Sequence, residues 1–149
     1  MNAYQEMKER QQKRVNALPV KFAFSKEQFR KGMAELGLTE NDTDKIYKMG
    51  NTGGFYLRTD SKLIFDTFEQ NEAEMKAAIA ADTDGTGFIK DMFGYELANH
   101  EYCITYDLEP TLDALGLSVD EINISPALQN GLRLARAEYM RAAEENEWF

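Results

Sequence analysis

Cysteine and histidine occur once each in the 149 residues, at Cys103 and His100. A single cysteine rules out an internal disulfide and a Cys-x-x-Cys redox pair. A single histidine rules out the His/Cys quartet of a structural zinc site and the two-histidine HExxH arrangement. No apolar run approaches the roughly 20 residues that a membrane-spanning helix needs. The opening MNAYQEMKERQQKR is charged and has no apolar centre, so it does not read as a secretory signal. There are three prolines, at 19, 110 and 126, and no repeat, linker or low-complexity tract. These absences lead us to expect one domain, 1–149, in a reducing cytoplasm, with no membrane contact and no cofactor.

Apolar residues are plentiful: 43 % hydrophobic and 11 % aromatic, enough to argue against disorder and for a real core. Positive charge is short, with 17 Lys/Arg against 26 Asp/Glu and a net charge of −9. It is also uneven. Residues 1–31 carry eight Lys/Arg against three Glu, whereas residues 32–149 carry nine against 23 Asp/Glu. An acidic body repels phosphate backbones, so direct nucleic-acid binding is not expected. It suits the basic surface of another protein, such as a nucleic-acid-binding effector. The plainer reading is that such a surface keeps a protein soluble. Candidate acids for a binding face are Glu69, Glu72, Glu74, Asp107, Glu109, Asp113, Asp120 and Glu121.

Residues 3–17 read as a basic, weakly amphipathic helix with Lys8, Arg10, Lys13 and Arg14, capped by Asn2 and stopped by Pro19. It either docks on the acidic body or hangs as a loose arm. Residues 20–24 read as a short strand. Ser25 and Gln28 have capping-box spacing, Phe29, Met33 and Leu36 recur at helical spacing, and Gly37 is a left-handed stop. Residues 46–58 read as a hairpin with strands 46–49 and 54–58 around GNTGG. An anion-binding glycine loop is the weaker reading there, because no Lys-Ser/Thr follows.

Residues 61–80, capped by Asp60 or Ser61, place Ile64, Phe68, Met75 and Ile79 near one helical face. Residues 82–87 break the chain. Residues 88–100 form the next helix, with Ile89, Phe93, Leu97 and His100 on one side. Residues 101–106 read as a short strand or an extended crossing segment. Asp107 caps a helix holding Leu112 and Leu115, closed by Gly116, and Ser118 with Glu121 forms a second capping box. Ser125 caps a final helix with Pro126 at its first position and an inner stripe of Leu128, Leu132, Ala135, Tyr139 and Ala142. Trp148 and Phe149 either dock on the body or mark a partner contact. The expected fold class is α+β: helix-rich, with a small antiparallel sheet (the 46–58 hairpin plus strand 20–24) covered by helices.

The densest mixture of polar groups and aromatics is ADTDGTGFIKDMFGYELANHEYCITYD, residues 81–107. Asp82, Asp84 and Thr86 fall at the first, third and fifth places of a calcium loop, but Phe93 stands where the bidentate acid belongs. A polar turn capping the next helix explains the same residues. Glu96 and His100 are four apart and share a helical face. Carboxylate and imidazole are a legitimate metal-ligand pair, to which Asp82, Asp84 or Glu101 could add oxygens. A metal-binding protein or metal-dependent hydrolase on Glu96 and His100 is therefore the alternative reading. The preferred one is structural: His100 closes its helix and is held by Glu96, Asn99 and Glu101. Cys103 lies three residues beyond His100, without the signature of a thiol enzyme, and reads as core. No residue is assigned a catalytic role, and the balance favours a protein that is not an enzyme.

FAFSKEQFRKGMAELGL, GNTGGFYLR, GFIKDMFGYELANHEY and TLDALGL resemble an uncharacterised family of small acidic proteins from phages, plasmids and conjugative elements of gut Firmicutes. The resemblance covers most of residues 18–135, and ELANHEY is its most specific block. It marks Glu96, Asn99, His100, Glu101 and Tyr102 as signature positions and leaves Cys103 outside them. It implies an accessory role for a mobile element, one form of which is blocking the basic groove of a host defence nuclease, as anti-CRISPR proteins do.

Overall fold

In the computed structural model, which describes residues 1–148, the chain is α+β and helix-rich, with one three-stranded antiparallel sheet. Phe149, paired with Trp148 in the sequence reading, lies outside the described residues. The elements in order are α1 Ala3–Asn16, β1 Lys21–Phe22, α2 Lys26–Glu35, β2 Ile46–Lys48, β3 Gly54–Leu57, α3 Ser61–Ala81, α4 Phe88–Asn99, α5 Tyr102–Thr105, α6 Glu109–Leu115, α7 Val119–Asn123 and α8 Pro126–Glu145. No helix among the described residues is long and apolar enough to cross a membrane. The contacts divide the chain into two compact units. One is Gln12–Glu72; the other joins Met1–Gln11 to the chain from Ala73 onward.

The unit Gln12–Glu72 contains the sheet, in the order β1-β3-β2. The hairpin register pairs Ile46 with Leu57 and Lys48 with Phe55, and β1 pairs Phe22 with Gly54. β1 is shorter than the 20–24 expectation, although Ala23 N–H still donates to the Gly53 carbonyl at 3.0 Å. α2 packs on the sheet through Met33, Ile46 and Phe55, which are buried together. Ser25 Oγ accepts the Gln28 N–H at α2's start. At its end Gly37, at φ +76, lets Leu38 N–H reach the Met33 carbonyl. A short 3-10 turn, Arg58–Asp60, leads into α3, so neither Asp60 nor Ser61 caps it, and the Ser61 hydroxyl is buried without a partner. Phe68, expected inside, is 41 % exposed.

The other unit is a helical cluster in which α4 and α8 make the principal contact. Ile89, Met92, Phe93 and Leu97 of α4 are fully buried against Leu128, Leu132, Ala135, Tyr139 and Ala143 of α8. The stripe on α8 ends on Ala143 rather than Ala142, one position further round the helix. The crossing is tight because residue 131 is glycine: an added Cβ would press on Ile89 and lie 2.7 Å from the Gly85 carbonyl oxygen. The expectation of an extended 101–106 is wrong. Residues Tyr102–Thr105 make one helical turn between two left-handed residues, Glu101 and Tyr106, both at φ +53. Burial of Cys103, whose N–H donates to the Tyr139 hydroxyl at 3.3 Å, overrides the strand preference of Tyr, Ile and Thr.

Candidate functional site

The buried positions of α4 run 89, 92, 93, 96 and 97, a regular helical stripe, and four of the five are apolar. The fifth is Glu96, which is 0 % exposed. A carboxylate in such a place must find charge and donors or lose its proton. Here it finds them on α1, 88 to 92 residues earlier in the chain. Tyr4 Oη and Lys8 Nζ both donate to Glu96 Oε1, each at 2.8 Å. Asn99 Nδ2 donates to Oε2 at 3.4 Å. Lys8 also lies over the Tyr95 ring, 4.9 Å from its centroid. Thr111, fully buried on α6, donates its hydroxyl to the Glu96 carbonyl at 3.3 Å. One residue thus ties α1, α4 and α6 together.

The electrostatics follow. Burial pushes the Glu96 carboxyl up and is the largest single effect, but Lys8, Tyr4 and Asn99 together outweigh it, so the group is held below its ordinary value. Burial first, and then the bond to Glu96, push the Tyr4 phenol well above the usual range. Both shifts describe an ionised carboxylate with a protonated phenol beside it. α1 is therefore docked through its first half, with Tyr4 and Met7 buried and Arg10 bonded to Glu74 Oε1 at 3.0 Å.

His100 ends α4, and its N–H donates to the Glu96 carbonyl at 3.0 Å. Its Nε2 lies 3.2 Å from Glu96 Oε2, but off the hydrogen-bonding direction, so that buried nitrogen makes a close polar contact and no aligned hydrogen bond. The expectation that Asn99 and Glu101 hold the imidazole is corrected: Asn99 serves Glu96, and Glu101 is an exposed left-handed residue. Tyr102 packs on Tyr106 at 6.0 Å and under Arg136 at 5.7 Å. The hub of the ELANHEY block is its first glutamate, Glu96.

The expected oxygens of Asp82 and Asp84 are already engaged. Asp82 Oδ2 accepts the N–H of Gly87 and Ile89, and Oδ1 that of Gly85; Asp84 Oδ1 accepts the N–H and hydroxyl of Thr86. These bonds form the start of α4, and those at Thr86 hold Asp84 below its ordinary value. Glu96 and His100 belong to the second half of α4, about 12 and 18 Å along its axis from Phe88. The four residues of the metal alternative are thus not brought together, and among the described residues no group of three His, Cys, Asp or Glu is placed to hold an ion.

A family model described as a family of unknown function, DUF7659, matches residues 3–138. The chain belongs to that family. No curated protein and no solved structure matches it. The DUF7659 span takes in every member of the Glu96 network, from Tyr4 to Thr111.

The acids proposed for a binding face divide between the two units of this DUF7659 chain. Glu69 and Glu72 lie on α3 in Gln12–Glu72; the other six belong to the helical unit, and Glu74 is paired with Arg10. Cut by structure, the charge looks different from the cut at residue 31. Gln12–Glu72 holds ten Lys/Arg against nine Asp/Glu, and the helical unit seven against seventeen. No Lys or Arg occurs between Lys90 and Arg133. Within that stretch Asp107, Glu109, Asp113, Asp120 and Glu121 are exposed and, among the described residues, have no cationic partner. The N-cap of α6 is Leu108 rather than the expected Asp107, whose Oδ1 still accepts the Glu109 N–H at 3.0 Å, and Glu121 Oε1 accepts the Ser118 N–H in the capping box that starts α7. Val119 and Ile124, 60 % and 84 % exposed, stand among these acids and were missed in the sequence reading.

Proposed function

We propose that this protein acts by binding another protein, through the α6–α7 segment, rather than by catalysis. The observation that carries this reading is the stretch without Lys or Arg from residue 91 to 132, in which residues 107–124 carry five exposed carboxylates together with two exposed aliphatic side chains, Val119 and Ile124. Apolar side chains in a charged rim are the make-up of a protein-binding face, and a rim of one sign selects partners of the other. The partner is then a protein with a Lys/Arg-rich surface. The groove of a nucleic-acid-cutting effector is one such surface, and it agrees with the mobile-element context that the resemblance implies. The Glu96 network supports the same division of labour, since its oxygens are occupied by α1 and Asn99 and it serves the architecture.

The test is cross-linking of the tagged chain in cells that express it, with mapping of the linked sites. Links should fall on residues 107–124 and on basic segments of the partner. They should vanish in the Asp113→Lys/Asp120→Lys variant and weaken as salt rises. Links confined to other parts of the chain, or capture that salt does not weaken, would refute it. Titration against a purified DNA-cutting defence nuclease then tests the narrower form.

A further inference from the structure

In the unit Gln12–Glu72 an open groove of about 690 Å³ runs between the hairpin turn and the start of α2. No side chain fills it, and its size is that of a small-molecule site. Its apolar part is aromatic. Phe29 and Phe55 pack with ring centroids 5.0 Å apart and form the floor. Phe24 stands as the wall, 78 % exposed. That ring is not loose on the surface: its edge rests on Gly53, where an added Cβ would lie 2.7 Å from Cε1, and Gly53 is also at φ +79. A glycine turn thus holds an otherwise bare phenylalanine upright beside a cavity.

The polar part is cationic, in a chain whose net charge is −9. Lys26, Arg30 and Lys48 line the groove against a single acid, Glu40, and that acid is taken by Arg30 Nε at 3.2 Å. Lys26 and Lys48 have no acidic partner among the described residues. A purely apolar ligand would leave both lysines unused, and a bare anion would leave the aromatic wall bare. One ligand class uses both: a flat ring carrying an anionic group. We infer that this groove is a binding site for a nucleoside monophosphate, its base stacked on Phe24 and its phosphate held by Lys26 and Lys48. The site lies outside the unit that carries the acidic face and does not depend on the binding role given to that face.

Calorimetric titration with adenosine monophosphate, adenosine and inorganic phosphate tests it. The monophosphate should bind at least about tenfold more tightly than either part. Phe24→Ala and Lys48→Glu should each weaken it by about tenfold, the scale of one stacked base or one charged contact. Both positions are exposed, and circular dichroism checks that the variants fold. Lys62→Glu makes the same charge change away from the groove and should leave binding intact. Absence of binding, equal binding of phosphate alone, an equal loss in Lys62→Glu, or affinity that climbs steadily with the length of a single-stranded oligonucleotide would each overturn the assignment.

Discussion

Replacing Lys8 with methionine should destabilise the protein strongly at neutral pH and hardly at all in acid. Methionine keeps most of the stem of Lys8 and removes the charge that sits 2.8 Å from a fully buried carboxylate. Taking one partner from a buried ion pair costs roughly 3–5 kcal/mol. Lys8 is 43 % exposed, so water screens part of the pair, and Tyr4 and Asn99 still serve Glu96. The expected cost is then about 2 kcal/mol at pH 7, or about 4–8 °C in Tm for a chain of this size. The sign with pH is fixed by the direction of the shift. The Glu96 carboxyl is held low in the native state, so its contribution is whole above the unfolded value of about 4.3 and drains away as pH falls through the folded one. In the variant, burial is no longer opposed by its main opponent and lifts the carboxyl, so stability falls as pH rises. The gap between wild type and variant should therefore widen from pH 3.5 to pH 7 in urea titrations. An equal cost at both pH values, or no cost, would refute the reasoning.

Gly131→Ala should cost about 1–3 kcal/mol, the usual scale of overpacking, because its methyl meets Ile89 and the Gly85 carbonyl at the α4–α8 crossing; chemical denaturation reads this directly. Asp82→Ala should cost about 1–2 kcal/mol by leaving the N–H groups of Gly85, Gly87 and Ile89 without their acceptor. If that turn is architecture, added calcium will leave the wild-type Tm unchanged, and a calcium-dependent rise would restore the ion-loop reading.

Much of the fold was legible because the chemistry of helix ends is local. Ser25 with Gln28, Gly37, Gly116, Ser118 with Glu121, and Ser125 before Pro126 all start or stop helices where they stand in the sequence. The turn at Tyr102–Thr105 was not legible. Its residues favour strand, and its helical form depends on Tyr139, 36 residues away. The role of Glu96 was half legible. A single acid inside the stripe Ile89, Met92, Phe93, Leu97 announces a buried charge, but its partners on α1 are too distant in sequence for any periodicity to reveal. The groove beside Phe24 required the hairpin and α2 to be brought together, and composition points the other way, toward a surface that repels anions.

The charge of this chain makes sense only after the internal pairs are removed. Read along the sequence, the basic start looks like an arm with charge to spare. In the structure Lys8 is spent on Glu96 and Arg10 on Glu74, so part of that charge neutralises the helical unit from within. The carboxylates of α6 and α7 have no such partner, and neither do Lys26 and Lys48 in the other unit. Gln12–Glu72 as a whole holds ten Lys/Arg against nine Asp/Glu and the helical unit seven against seventeen, a difference that the net charge of −9 conceals. Unpaired charge of one sign on a surface costs self-repulsion and brings no packing in return. Its persistence in two places, each time beside exposed apolar side chains, is what a surface shaped for ligands would show. The two places are also separable: reversing Asp113 and Asp120 should leave nucleotide binding at Lys48 untouched, and Lys48→Glu should leave protein capture at α6–α7 intact. If either change abolished both, the charges would be acting through the stability of the whole chain, and neither surface would be a site.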